Sequence, residues 1–160
     1  MNERSMNREA AEALIKRYFQ SWIQQDLSLF LSTLSPDTEV VECYGPVYCG
    51  TDEMRQWFVN WHTKDGNGKV TKWEIFKILY DETQEMAAVE WNFECIYGGN
   101  LGSFLGASLF RFDETKIDCI QEYKNKIAVS IELPRHRHRE SNELEAGRPS
   151  WDDHFQEGFF

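Results

Sequence analysis

Three apolar stripes at helical spacing punctuate the first half of the chain. Ala11, Leu14, Ile15, Tyr18 and Trp22 lie 3, 4, 7 and 11 residues along from the first of them, so they share one face of a helix. With Asn7 as N-cap, the spacing predicts a helix over about residues 7–24. Leu27, Phe30, Leu31 and Leu34 repeat the i, i+3, i+4, i+7 pattern behind Asp26, a second cap, and Ser35-Pro36-Asp37 is expected to end that helix. A third stripe, Met54, Trp57, Phe58 and Trp61, carries His62 at its edge. Thr51 is the expected cap there, and Asp52 and Glu53 complement the positive end of the helix dipole.

Between the second and third stripes the period changes. "TEVVECYGPVYCG" is β-branched and aromatic, broken at Gly45-Pro46, and reads as a short hairpin. After Gly66 and Gly68 come four strand-like runs, "KVTKWEIFKILY", "EMAAVEWNFECIY", "SFLGASLFRF" and "KIDCIQEYKNKIAV", whose short separators predict an antiparallel meander. In the second run Ala87, Val89, Trp91, Phe93, Cys95 and Tyr97 alternate with a largely polar set, so one face of the sheet needs cover. The three amphipathic helices supply it, which predicts an α+β fold. Alternation also sorts the strand residues. Val40, Glu42 and Tyr44 fall on one face of the first strand, unless a one-residue slip places Val41 and Cys43 there instead. Gly106, Ser108, Phe110 and Phe112 share a face of the third meander strand, and Ile120, Glu122 and Lys124 a face of the last.

A length of 160 residues suits one domain, and 14% aromatic content favours a packed globule. The net charge of −10 argues against binding nucleic acid or an anionic membrane surface, both of which call for Lys and Arg. No apolar run reaches the roughly 20 residues that span a bilayer, and "MNERSMNREAAEALIK" has no uninterrupted hydrophobic segment, so a cytoplasmic protein is expected. Cys43, Cys49, Cys95 and Cys119 show no zinc-ligand spacing; they are expected to be reduced thiols with no metal, although Cys43 and Cys49 can meet across the hairpin. From Pro134 onward charge rises and periodicity fades. Residues 1–133 are therefore assigned to the domain and 134–160 to a polar tail that carries "RHRHR", Trp151, Phe155, Phe159 and Phe160.

The order helix, helix, hairpin, helix, meander resembles the nuclear transport factor 2-like superfamily, in particular its SnoaL-like branch. The residues that carry the resemblance are "LIKRYFQSWIQQDLSLFLSTLSPDTEVV", the "YCGTDEMRQWF" entry to the third helix, and "SLFRFDETKIDCIQEY"; it covers about residues 7–130. It implies a cone, in which a curved antiparallel sheet wraps around the long first helix and leaves a cavity. Relatives include ketosteroid isomerase, scytalone dehydratase, limonene epoxide hydrolase and polyketide cyclase, alongside binding modules without activity, so fold does not fix function.

The ketosteroid isomerases are the most similar in local text. They set a carboxylate base opposite a Tyr and a protonated Asp. By that resemblance Tyr18 in "KRYF" matches the tyrosine, Glu42 in "VVECYG" the base, and Ser108 stands where the Asp belongs, a weaker partner for a developing oxyanion. Glu122 is a second candidate base. Trp22, Tyr44, Phe58, His62, Trp91, Phe93 and Phe110 are expected to line the ligand site, with Trp22 and Trp91 as cavity wall and Trp57 and Trp61 as core. The expected function is binding of a small hydrophobic molecule, carbonyl-bearing or polycyclic, with cofactor-free isomerisation, cyclisation or dehydration. The alternative is a non-catalytic ligand-binding or protein-interaction module. A homodimer through the outer sheet face, with Ile96 and Leu109 exposed, is expected of such a module and is common among the relatives.

Overall fold

The computed structural model describes residues 6–125, so the tail assigned to 134–160 lies outside the described residues. Helix α1 spans Arg8–Gln24, with the Asn7 side chain accepting the Ala10 amide at 2.9 Å, and α2 spans Leu27–Thr33, with Asp26 accepting the Leu29 amide at 2.8 Å. Both caps are the residues the sequence points to, because each side-chain oxygen satisfies an amide the helix leaves unpaired. Strand β1 (Leu34–Val41) and β2 (Val47–Cys49) form the hairpin, followed by α3 (Gly50–Asn60) and one widened π turn (Trp61–Asp65). The meander is β3 (Lys69–Asp81), β4 (Met86–Tyr97), β5 (Asn100–Asp113) and β6 (Lys116–Lys124).

Two local expectations give way. Helix α3 is capped at Cys49 and not at Thr51, since Gly50 adopts a φ of 77° that turns the chain straight from β2 into the helix. Glu53 reaches back to accept the Cys49 amide at 2.7 Å, while Thr51 donates to the Pro36 carbonyl oxygen at 3.4 Å. The second helix does stop ahead of Ser35-Pro36-Asp37, at Thr33, but Leu34, counted in its stripe, already belongs to β1. Proline has no amide to give a ladder, and the pairing with β6 slips here, from Leu34 opposite Ile117 to Glu39 opposite Cys119. The buried Thr38 hydroxyl fills the gap, 2.7 Å from the Ser35 and Ile117 carbonyl oxygens.

The strands are ordered β2-β1-β6-β5-β4-β3. The meander and the β1–β2 hairpin are antiparallel, and β1 joins the far edge of the meander alongside β6 in parallel, Val40 opposite Ile120. This returns the first strand to the last, which sets Glu42 and Glu122 on neighbouring strand ends. Helix α1 lies in the concavity of the curved sheet, with Ala11, Ile15, Tyr18, Phe19 and Trp22 buried against inward residues such as Val89, Trp91, Phe110 and Ile120. Phe19 stacks on Trp73 with ring centroids 4.2 Å apart, and Phe30 of α2 stacks on Phe58 of α3 at 4.6 Å. Each such pair adds about 0.5–1.5 kcal/mol beyond the area it buries. On the outer face Phe76, Leu79, Leu109 and Tyr123 stay exposed, and Ile96 is at the margin with 36% exposure.

Gly106 marks the tightest approach of the sheet to the interior: a Cβ there would fall 2.3 Å from the Trp91 ring and 2.4 Å from the Tyr123 carbonyl oxygen. The backbone atom cannot swing away as a flexible side chain would. Gly106→Ala is therefore expected to lower the unfolding free energy by about 1–3 kcal/mol, measured by urea denaturation.

Candidate functional site

The site forms where β1 ends. Val40 is fully buried, so alternation turns Glu42 inward, and the register left open by the sequence is the one that faces the carboxylate to the interior. The strand stops at Val41. A tight turn follows, held by the Glu42 amide donating to Pro46 O at 2.9 Å and the Gly45 amide donating to Glu42 O at 3.0 Å, with Gly45 at a φ of 108°. Because alternation ends with the strand, Glu42, Cys43 and Tyr44 in succession border one hollow.

The helices close one side of that hollow with Trp22, Trp57 and Trp61, and the sheet closes the other with Trp73, Trp91, Phe93, Phe104 and Glu122. Its volume is about 50 Å³. That is room for a few waters or one small organic group, well under the roughly 300–1,000 Å³ of a drug-sized ligand pocket. A polycyclic ligand of the kind the sequence allows does not fit this volume whole. The Trp57 indole donates to the Glu42 carboxylate, the Tyr48 hydroxyl lies 3.4 Å from Glu42 Oε2, and Tyr48 in turn stacks on Trp57 at 4.8 Å. The third helix thereby fixes the orientation of the acid.

Burial in this apolar setting governs the ionisation of both acids. Glu42 is pushed up to about 7 by desolvation, against the two hydrogen bonds, which favour its charged form. Glu122 is pushed up to about 8, first by desolvation and then by the negative charge of Glu42. The Tyr18 phenol is held well above its ordinary value by burial and by Glu122, and burial likewise raises Cys43 and Tyr44. Lys124 sits 4.0 Å over the Tyr44 ring. Near neutral pH the pair therefore holds on to protons that exposed glutamates would have lost.

Of the residues singled out from the sequence, Glu42, Glu122, Trp22, Tyr44, Trp91 and Phe93 meet around the hollow. Tyr18 stands behind that wall, fully buried among Phe19, Phe30, Trp73 and Phe110. Ser108 is also behind it: its hydroxyl oxygen accepts the Trp91 indole N–H at 2.9 Å, so it holds a wall residue and does not border the hollow. Phe58 and Phe110 belong to the packed core. His62 is a buried link between helices, its Nδ1 2.8 Å from Phe58 O and its Nε2 3.4 Å from Trp22 O, and burial lowers its pKa. Trp57 and Trp61, read as core, are lining residues as well as buried ones. Trp73 and Phe104 were not singled out, and Cys43 entered only as the alternative inward residue of the first strand. Trp73 had a findable signal, since it pairs across the ladder with Phe93, an expected wall residue, and cross-strand partners point to the same face. All four cysteines are free thiols, Cys49 exposed and Cys43 at the hollow.

With this geometry in view, three comparisons place the chain. The SnoaL-like domain matches residues 15–120. No curated protein matches. Among solved structures, the chain is similar to a cystatin-like-fold protein from Methylobium petroleophilum (18% identity over 79% of this chain and 82% of that one, TM-score 0.63). It is similar to a protein with a ketosteroid isomerase-like fold from Catenulispora acidiphila, in complex with trimethylamine (16% identity, 69% and 83% covered, TM-score 0.59). It is also similar to an LEH-like epoxide hydrolase from M. tuberculosis (14% identity, 73% and 84% covered, TM-score 0.64). At these identities the structures establish the fold alone, while the match over residues 15–120 establishes that the chain belongs to the SnoaL-like domain family.

Proposed function

We propose that the protein binds a small, mostly apolar molecule in the tryptophan-lined hollow and moves a proton on it without a cofactor, as an isomerase, cyclase or dehydratase would. The observation that carries this reading is the pair Glu42 and Glu122 bordering one apolar hollow, with Glu42 at about 7. A base works best when its pKa lies near the working pH, where it is both partly ionised and basic enough to accept a proton. In this scheme the Glu42 carboxylate takes a proton from a carbon next to a carbonyl, the electron pair of that C–H bond forms the C=C bond of an enolate, and the C=O π pair moves onto the oxygen. Where a further C=C bond is conjugated with that enolate, the same proton, or one from Glu122, returns at the far carbon as the C=O bond re-forms. Tyr18 and Ser108 stand behind the wall of the hollow, where Ser108 acts through Trp91. Relatives of the fold work as epoxide hydrolases, which is consistent with acid and base groups in the same cone.

A second reading rests on a separate observation, the apolar outer face. Phe76, Leu79 and Tyr123 line a groove of about 440 Å³ there. We read this face as the contact of a homodimer, which either an enzyme or a binding module of this fold can use.

Three outcomes test these readings. Glu42→Gln keeps the shape and removes the base. It is expected to reduce exchange of the α-protons of cyclopentanone for deuterium, followed by NMR, by at least about 100-fold, with ligand affinity largely retained; undiminished exchange removes Glu42 from the mechanism. The raised carboxyls also set a sign for stability. A group whose pKa is higher folded than unfolded binds more protons in the native state, so stability is complete below the ordinary value of 4.5 and falls as pH rises through about 8. Glu122→Gln is expected to flatten that fall and to raise the melting temperature at alkaline pH by about 5 °C relative to the parent, measured by calorimetry. For the outer face, sedimentation is expected to show a dimer that Leu79→Glu converts to monomer.

A further inference from the structure

The ladder between β5 and β6 is still running where the described residues end. Gly106 is opposite Lys124, and the Asn125 amide donates to the Leu105 carbonyl oxygen at 2.9 Å. Residues 100–104 of β5 lie beyond that point, with β4 along one side and no strand along the other among the described residues. This open stretch has none of the devices that keep an edge from pairing. Asn100, Leu101, Gly102, Ser103 and Phe104 include no charge and no proline, whereas β3, at the end of the sheet, carries Lys72, Glu74 and Lys77. The outer face is uncovered there too. Leu109, with Gln121 opposite it on β6, is 37% exposed, and Leu101, with no residue opposite on that side among the described ones, is 69% exposed.

The sequence that follows Asn125 suits this edge. In "KIAVSIEL", residues 126–133, Ile127, Val129, Ile131 and Leu133 alternate with Lys126, Ala128, Ser130 and Glu132, and Pro134 ends the run. No connecting residues are needed, because the chain is already in the ladder at Asn125. Counting on in the observed register sets Lys126 opposite Phe104, Ile127 opposite Ser103, Ala128 opposite Gly102 and Val129 opposite Leu101. Cross-strand partners share a face. Ile127 and Val129 therefore belong with Leu101 and Tyr123 on the outer face, which is already apolar, and Ala128 with the buried Gly102, where a small side chain suits a covered position.

We propose that residues 126–130 complete β6 along the open edge of β5, turning Lys126 inward beside Phe104 and adding Ile127 and Val129 to the apolar outer face. The completed strand matters to the hollow. Phe104 borders it and is half-buried, as are Cys43, Tyr44 and Phe93, whereas Trp22, Trp57, Trp61 and Trp91 are buried, so the half-buried group marks the side on which the hollow opens. Residues 126–130 supply a wall on that side. Inward positions of the strand then run Glu122, Lys124, Lys126, with the acid at the hollow, Lys124 over the Tyr44 ring and a second cation next along. The inference stands apart from the proposed reaction, so the failure of one leaves the other untouched.

The test is amide exchange into deuterated water, with cross-strand contacts read by NMR, on the full-length protein. Ladder bonds alternate along a strand, so with Asn125 bonded to Leu105 the next amides to be bonded are those of Ile127 and Val129, while those of Lys126 and Ala128 point away from β5. The first two are expected to exchange more slowly than the second two by about tenfold or more. Contacts between Hα atoms are expected for Lys126 with Phe104 and for Ala128 with Gly102, and the Lys126 side chain is expected against the Phe104 ring. Ile127→Pro removes one ladder amide and is expected to abolish the slow exchange at Val129. Uniform exchange along residues 126–130, or Phe104 contacts made by Ile127 in place of Lys126, overturns the proposal. So do contacts that appear only between chains carrying different isotope labels, since these give the edge to a second copy. The spectra of the parent protein decide each case even if the proline variant fails to fold.

Discussion

The fold depends on one requirement, that the long first helix bury its whole aromatic face in the concave side of a single sheet. Ala11, Ile15, Tyr18, Phe19 and Trp22 present a ridge that no flat surface covers. The sheet meets it by curving, and the register slips in β1, β3 and between β5 and β6 are where it bends. The parallel return of β1 to β6 extends the wrap by one hairpin. Trp22 is the meeting point of these layers, in ring contact with Phe30, Trp57, Phe58, Trp61, His62 and Trp73.

That packing also makes the hollow. Large flat rings meeting at steep angles, such as Trp22 against Trp57 at 60° and Trp73 against Trp91 at 85°, leave a space between their edges that none of them fills. The space is small and nearly all carbon, and two carboxyl groups open onto it. Taking a carboxylate out of water costs far more than the aromatic walls return, so the groups answer by holding protons. The chemistry follows from packing in this sense. A smaller aromatic content would have admitted water and left Glu42 and Glu122 as ordinary acids.

Hydrogen bonds then hold part of the aromatic wall in place. Trp57 and Trp91 are committed to internal acceptors and act as fixed wall, with Trp57 also aiming Glu42.

How much of this could be read in the chain depends on range. The helices, their caps at Asn7 and Asp26, the meander and the inward faces of β4 and β5 follow from local spacing and local hydrogen bonding, and the sequence determined them. Alternation put Trp91 and Phe93 on the apolar face of their strand and offered Glu42 with Tyr44, and Glu122, as candidates with the register at Glu42 left open, while helical spacing put Trp22 on the buried stripe of the first helix. Tertiary structure decided the rest. Whether Trp57 and Trp61 are filler or lining turns on which rings they meet across α1, and whether Tyr18 and Ser108 border the hollow or stand behind it turns on a depth of one side chain. The parallel pairing of β1 with β6 brings Glu42 beside Glu122 across some eighty residues of chain. Neither periodicity nor propensity carries information over that distance. Alternation says which way a side chain points; only the packed interior says what it finds there.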